Sequence, residues 1–284
     1  MPSPKLSAWK TTLGLLIASS AILFPSVTSF AQDAATPTPT ESATSVPTAS
    51  VSPNPSMSPT PSSSATATPS ATPSPTPTAF NPTLYSIDKA SSLWVVVDKK
   101  RPLNPLNYKP KGLTAPAFKK AASNPYGISL AKPAAEAIVA MANAMSKAKA
   151  GTLVLSSAYR SYNTQVVVHD RDVAQLGLIA GERLAARPGY SEHQTGLAAD
   201  VSAVGQGCVI RVCFAKTVAG KWLAANAWQY GFILRYPDGR TATTGYQFEP
   251  WHFRYVGVEL ATQMQLTKTA VLEDFFGLPA APNY

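Results

Sequence analysis

The chain carries three histidines, and two of them stand beside acids in settings suited to metal chemistry. One setting is Ser191-Glu-His193-Gln-Thr-Gly196-Leu-Ala-Ala-Asp200; the other is Glu249-Pro-Trp-His252. A catalytic zinc site takes three protein ligands from His and carboxylate and keeps a further position open. His193, Asp200 and His252 would supply that set. His193 and Asp200 are seven residues apart, so on one straight strand they would face opposite ways. Gly196 between them permits a sharp turn, after which both side chains can converge. Glu249 lies three residues before His252, and Pro250 disfavours an interior helical turn there. An extended or turn segment would then hold the Glu249 carboxylate beside the metal, free to take a proton from water as a general base.

Blander readings compete with this one. A histidine near a turn is commonly a packing residue, and an Asp after two alanines often caps a turn. Asp200, however, sits in apolar Leu-Ala-Ala-Asp-Val-Ser, where an unpaired carboxylate is costly and a metal would remove the cost. His169, in His169-Asp-Arg-Asp172, reads as part of a solvated helix face rather than a ligand. Arg160, in Ser156-Ser-Ala-Tyr-Arg-Ser161, follows an apolar strand; it is either an ordinary ion-pairing residue or a cation for a carboxylate or developing oxyanion. Gln165 would lie over the same region as an amide donor to substrate.

These residues need elements to place them. Ser92–Val97 is β-branched and aromatic and reads as a strand, with loop over 104–124. Lys132–Ala148 has Pro133 near its start and apolar residues at helical spacing. Gly151–Leu155 is a second strand, delivering Ser156–Arg160 at its end, and Ser161 caps a helix running to Leu176. Short strands follow at 196–202, 232–236 and 253–256, with helices at 215–230 and 258–276. Helices and short strands mix without a regular βαβ rhythm, which favours α+β.

Bulk composition divides the chain into three. Residues 1–31 carry Lys5 and Lys10, then an apolar run from Leu13 to Phe24 and a small-residue exit at Ala31. That is the pattern of a secretory signal peptide, with an uncleaved N-terminal anchor as the alternative. Residues 32–80 are rich in Pro, Thr and Ser and hold too little apolar surface to order, so they read as a disordered, extended spacer. Residues 81–284 are left as one folded domain of ordinary size. A formal net charge of +9 on an exported chain suits an anionic cell wall or membrane surface. Nucleic acid fits poorly, since no dense Lys/Arg stripe with interleaved aromatics is present. In an oxidising compartment Cys208 and Cys213 favour a local disulfide; two thiols alone cannot complete a zinc site.

In this order, Ser156-Ser-Ala-Tyr-Arg160-Ser with Gln165, Ser191 to Asp200, and Glu249 to His252 resemble the zinc D-alanyl-D-alanine carboxypeptidases of the VanY type. The resemblance spans roughly residues 86–256 and includes Trp94 to Leu103 near its start. It implies a small α+β domain with a central antiparallel sheet flanked by helices. It also implies zinc on His193, Asp200 and His252, and Glu249 as general base and later proton donor. Arg160 would stabilise the tetrahedral intermediate, with Gln165 and Ser191 contacting substrate. The implied substrate is a peptidoglycan stem peptide ending in D-alanine, and Arg187 is a candidate for its terminal carboxylate. An L,D-carboxypeptidase or an endopeptidase would use the same zinc machinery. A non-catalytic wall-binding module is the rival of another class, which has no need of Glu249 beside a metal. Asp98 departs from the asparagine usual in relatives, outside the metal motifs.

Overall fold

The computed structural model describes residues 80–119 and 122–284. The segment 1–31 and the spacer expected over 32–80, Phe80 excepted, lie outside the described residues. In chain order the elements are β1 (Leu113–Thr114), β2 (Ala122–Ser123), β3 (Leu130–Ala131), α1 (Lys132–Lys147), β4 (Leu153–Ser157), α2 (Tyr162–Leu176) and α3 (Leu178–Leu184). They continue as β5 (Ala198–Ala203), α4 (Val218–Asn226), β6 (Phe232–Leu234), α5 (Thr241–Thr244), β7 (His252–Tyr255), α6 (Val258–Thr267) and α7 (Leu272–Phe275). The class is α+β. Five strands form the central sheet in the order β2-β4-β5-β7-β6; only the β2–β4 edge pair is parallel, and the other pairs are antiparallel.

Strand alternation decides which face does what. From β5, Ala199, Val201 and Ala203 enter the main core with Phe253 of β7 and Phe232 of β6. The same core takes Ala134, Ile138, Met141, Ala142 and Met145, one stripe of α1 at helical spacing, and Ala219 and Leu223 of α4. The intervening residues, Asp200 of β5 with His252 and Arg254 of β7, therefore project from the opposite face. Trp94, Val96, Ile233, Leu260, Met264 and Leu272 form a second core near β6. The rest of that face is left to α2, α3 and the site.

Four elements differ from the sequence reading. Ser92–Val97 is not a strand, although Trp94–Val97 are buried. Side chains satisfy its backbone instead: Arg254 Nη2 donates to Leu93 O (3.1 Å) and Val95 O (2.9 Å), and Arg101 Nε donates to Val96 O (3.3 Å). The loop 104–124 contains the short strands β1 and β2. The helix expected over 215–230 divides into α4 between two 3-10 turns, Val212–Lys216 and Ala227–Tyr230. The last helix breaks where Lys268 turns left-handed (φ 55°), separating α6 from α7. Ser161 does cap α2, its hydroxyl accepting from Thr164 N at 3.2 Å.

Candidate metal centre and active site

His193 lies in a 3-10 turn, Glu192–Thr195, that ends at Gly196 in the left-handed conformation (φ 72°). A Cβ at Gly196 would come within 2.9 Å of Leu113 Cδ2 and 3.1 Å of Ala131 N, so a larger residue is blocked by conformation and by space. The chain then enters β5, whose Asp200 is registered directly opposite His252 of β7. Directly opposed residues share a face, which brings these two side chains together. His193 reaches the same point from the turn. Its Nε2 is 3.3 Å from Asp200 Oδ2, and His252 Nδ1 is 3.2 Å from Asp200 Oδ1.

One ligand atom from each of His193, Asp200 and His252 fits within 4.8 Å of the others, and all three residues are buried. Asp200 Oδ1 nevertheless accepts no well-formed hydrogen bond, despite the closeness of His252 Nδ1. A buried carboxylate oxygen without a partner is expensive. Two imidazoles and a carboxylate turned edge-inward suit a divalent cation better than they suit one another. The outer nitrogens are already engaged: His193 Nδ1 is 2.6 Å from Ala158 O, and His252 Nε2 is 3.4 Å from Glu192 Oε2. Such contacts fix the tautomer that leaves the inner nitrogen a lone pair.

Glu249 sits in a turn before β7, where His252 N donates to Glu249 O at 3.0 Å. Its Oε2 is 3.8 Å from His252 Nδ1, beside the cluster but outside the set of ligand atoms. Without a cation, burial pushes the Glu249 carboxyl up to about 8. For His252 burial opposes the charge, but the adjacent Asp200 and Glu192 carboxylates outweigh it and raise the imidazole to about 9. Asp200 runs the other way: burial would raise it, yet His193 and His252 hold it below the usual carboxylate range. A divalent cation among these groups favours the ionised carboxylates and neutral imidazoles.

Arg160 emerges just beyond β4, after a bulge between Leu155 and Ser157, and its backbone N donates to His193 O at 3.1 Å. Its guanidinium stands 4.0 Å from Asp200 Oδ2, with Nη1 donating to Gln165 Oε1 (2.9 Å) and Nη2 to Ser157 Oγ (3.2 Å). Gln165 is fully buried; its oxygen accepts from Arg160 and its Nε2 donates to Ala186 O at 2.7 Å, so both ends of the amide are engaged within the protein. Arg187 is likewise committed elsewhere, 2.6 Å from Glu182 Oε1 and stacked on Tyr284. His169 Nδ1 is 3.3 Å from Asp170 Oδ1 and its Nε2 is 3.5 Å from Glu182 Oε1 on α3, and it is not part of the His193–Asp200–His252 group. Ser191 lines the cavity, as do Arg160 and Glu249.

The cavity over the cluster encloses about 160 Å³. Its wall includes residues that the sequence did not single out: Tyr236, Tyr246, Asp172 and Ile210. The Tyr236 ring centroid is 4.8 Å from that of His252 and 4.6 Å from that of Tyr246. Ile210 belongs to a loop closed by the Cys208–Cys213 disulfide. Glu192, next to His193, was also passed over; it is the fully buried carboxylate between His252, Arg235 and Arg254.

Comparison with known proteins agrees with this geometry. Residues 127–258 match the family VanY, D-alanyl-D-alanine carboxypeptidase. The Bacillus subtilis protein YodJ is 38% identical over 197 residues, covering 68% of this chain and 70% of YodJ. Among solved structures, an LdcB LD-carboxypeptidase superimposes with a TM-score of 0.61 at 38% identity, over 66% of this chain and 87% of its own. The VanB-type vancomycin-resistance D,D-pentapeptidase VanY, solved in complex with Zn(II), superimposes with a TM-score of 0.54 at 28% identity, over 66% of this chain and 99% of its own. The chain belongs to the VanY family of D-alanyl-D-alanine carboxypeptidases.

Proposed function

We propose that this protein is a zinc-dependent D,D-carboxypeptidase that releases the terminal D-alanine from peptidoglycan stem peptides. The observation that carries this reading is the convergence of His193, Asp200 and His252, with Glu249 3.8 Å from His252, in one buried cavity. His193 Nε2, the Asp200 carboxylate and His252 Nδ1 would hold the metal. Zinc, when bound, supplies a Lewis acid for the scissile carbonyl and lowers the pKa of a water towards ~7.

The chain's own residues do the rest. Glu249 takes the proton of the attacking water as the new C–O bond forms, then delivers it to the departing amine as the C–N bond breaks. Arg160, locked by Gln165 and Ser157, presents a fixed cation to the developing oxyanion without reorganising in the transition state. Ser191 and Tyr236 line the same wall, and their hydroxyls would serve substrate contact. His193, Asp200, Glu249 and His252 are all buried, and burial strengthens each of these electrostatic contacts.

The same reading assigns the chain to the cell envelope. Residues 1–31 serve as export signal or anchor, 32–80 as a Pro/Ser/Thr spacer, and 81–284 as the catalytic domain, with the positive net charge favouring an anionic wall. A second reading, L,D-carboxypeptidase, is favoured by the higher identity and TM-score of the LdcB structure. Mass spectrometry of zinc-loaded protein on a pentapeptide ending in D-Ala-D-Ala, beside a tetrapeptide ending in D-Ala, separates the two. Loss of one alanine from the pentapeptide supports the D,D reading. Trimming of the tetrapeptide alone would move the specificity to L,D.

A further inference from the structure

Glu192 is enclosed on every side, with 1% of its surface exposed. Its Oε1 accepts from Arg235 Nε and from Arg254 Nη1, both at 2.8 Å. Arg235 is gripped from behind by Glu273, its Nη1 and Nη2 donating at 2.9 and 2.7 Å. Arg254 is tied to the carbonyls of Leu93 and Val95. Both guanidinium groups are fully buried and have no freedom to turn away. Only Oε2 of Glu192 remains, and it faces His252 Nε2 at 3.4 Å.

Two cations on one carboxylate keep it ionised, and an ionised carboxylate can only accept hydrogen bonds. The proton between Glu192 and His252 must then reside on Nε2. In the neutral imidazole that a metal ligand must be, Nδ1 is then the nitrogen with the lone pair, and Nδ1 is the one aimed at Asp200. We propose that Glu192 is a positioning residue for the metal centre: clamped by Arg235 and Arg254, it fixes His252 as its Nε2–H tautomer and dedicates Nδ1 to the cation. This rests on the zinc reading above.

A purely architectural role for the network is the competing account, since Arg254 also tethers residues 93–97 and Arg235 tethers α7 through Glu273. Glu192→Gln distinguishes the two. Its single amide oxygen would stay with the two arginines and turn the NH2 group towards His252. Nε2 would then have to accept, and the proton would move to Nδ1, where it competes with the metal. Glu273→Gln disturbs the same arginine cluster from the far side and leaves the Glu192–His252 contact in place.

The test is zinc affinity, measured by competition with a chromophoric chelator on wild type and both variants, together with thermal stability. Glu192→Gln is expected to weaken zinc binding by about 10- to 100-fold. Glu273→Gln is expected to lower the melting temperature with zinc affinity unchanged. Equal zinc affinity in wild type and Glu192→Gln would overturn the role of Glu192, as would equal losses in the two variants. Absence of zinc binding by wild type would instead overturn the zinc reading beneath it. Long-range 1H–15N correlation on zinc-loaded wild type decides the matter even where the variants fail to fold. A proton on His252 Nε2 supports the proposal, and metal or an open lone pair at Nε2 overturns it.

Discussion

Asp200 and His252 stand directly opposite each other in the β5–β7 ladder, and their side chains meet with Oδ1 3.2 Å from Nδ1. The contact is a consequence of sheet register. A slip of one residue would turn either side chain into the Ala199–Phe253 core face. His193 is added by the Gly196 turn, so one ladder and one glycine assemble the three candidate ligands. His193→Ala and Asp200→Asn are each expected to lose bound zinc while keeping a native circular dichroism spectrum. One equivalent of zinc retained by either variant would remove that residue from the ligand set.

Glu249 is close enough to the cluster to move a proton and lies outside its ligand atoms. Glu249→Gln should therefore lower kcat by on the order of 10²- to 10⁴-fold, with zinc content unchanged. Metal analysis beside steady-state kinetics checks this. Activity near wild type would assign the proton transfer to another group.

Arg160 and Gln165 act as a unit, because the Gln165 amide fixes the guanidinium near Asp200. Arg160→Ala should cost about 10²- to 10³-fold in kcat. Gln165→Ala should cost less, and the double variant should cost no more than Arg160→Ala alone. Additive losses would mean that Gln165 contacts substrate independently.

The disulfide loop has a part at the cavity as well as in the scaffold. Within it Cys208 (φ 58°) and Ile210 (φ 48°) both adopt left-handed backbone, costly for a β-branched residue, and Ile210 lines the cavity wall. Reduction of Cys208–Cys213 should let Ile210 withdraw, raising KM by about 2- to 10-fold with little change in kcat. An unchanged KM after complete reduction would show that the loop serves the scaffold alone.

The buried charges make stability depend on pH in the metal-free protein. Glu249 and His252 both titrate above their ordinary values, at about 8 and about 9. A raised value means protonation favours the folded state, so their contribution is present at low pH and lost as pH rises through those values. Asp200 and Glu192 are held low, and their contribution is lost only as pH falls below the ordinary carboxylate range. The melting temperature of chelated protein should peak near pH ~5 and fall towards pH ~9. Glu249→Gln should raise it near pH ~9 and leave it unchanged near pH ~5. A profile that rises with pH would contradict these environments.

Much of the site was legible because its residue types are scarce in their settings. An Asp inside an apolar strand carries a cost that a shared site relieves, and two histidines beside acids with a glycine at the required turn supply the remaining parts of such a site. The α1 stripe and the Ser161 cap were legible from local rules of spacing and hydrogen bonding. What was missed depends on partners distant in sequence. Ser92–Val97 has strand composition, yet Arg254, more than 150 residues away, takes its carbonyls. Gln165 was placed over the right region but spends its amide on Arg160 and Ala186. A signal for Glu192 did exist: Arg235 and Arg254 interrupt the apolar runs Phe-Ile-Leu-Arg-Tyr and His-Phe-Arg-Tyr. Arginine there must be buried with a paired acid, and such a pair is seldom without purpose near a metal.

The measurement that bears most directly on the central claim is a zinc titration of chelator-stripped protein while D-alanine release from the pentapeptide is followed. Activity is expected to be absent without metal, to rise linearly, and to break at one equivalent of zinc per chain. Full activity in the stripped protein, or a break at a different stoichiometry, would contradict a single zinc centre built on His193, Asp200 and His252.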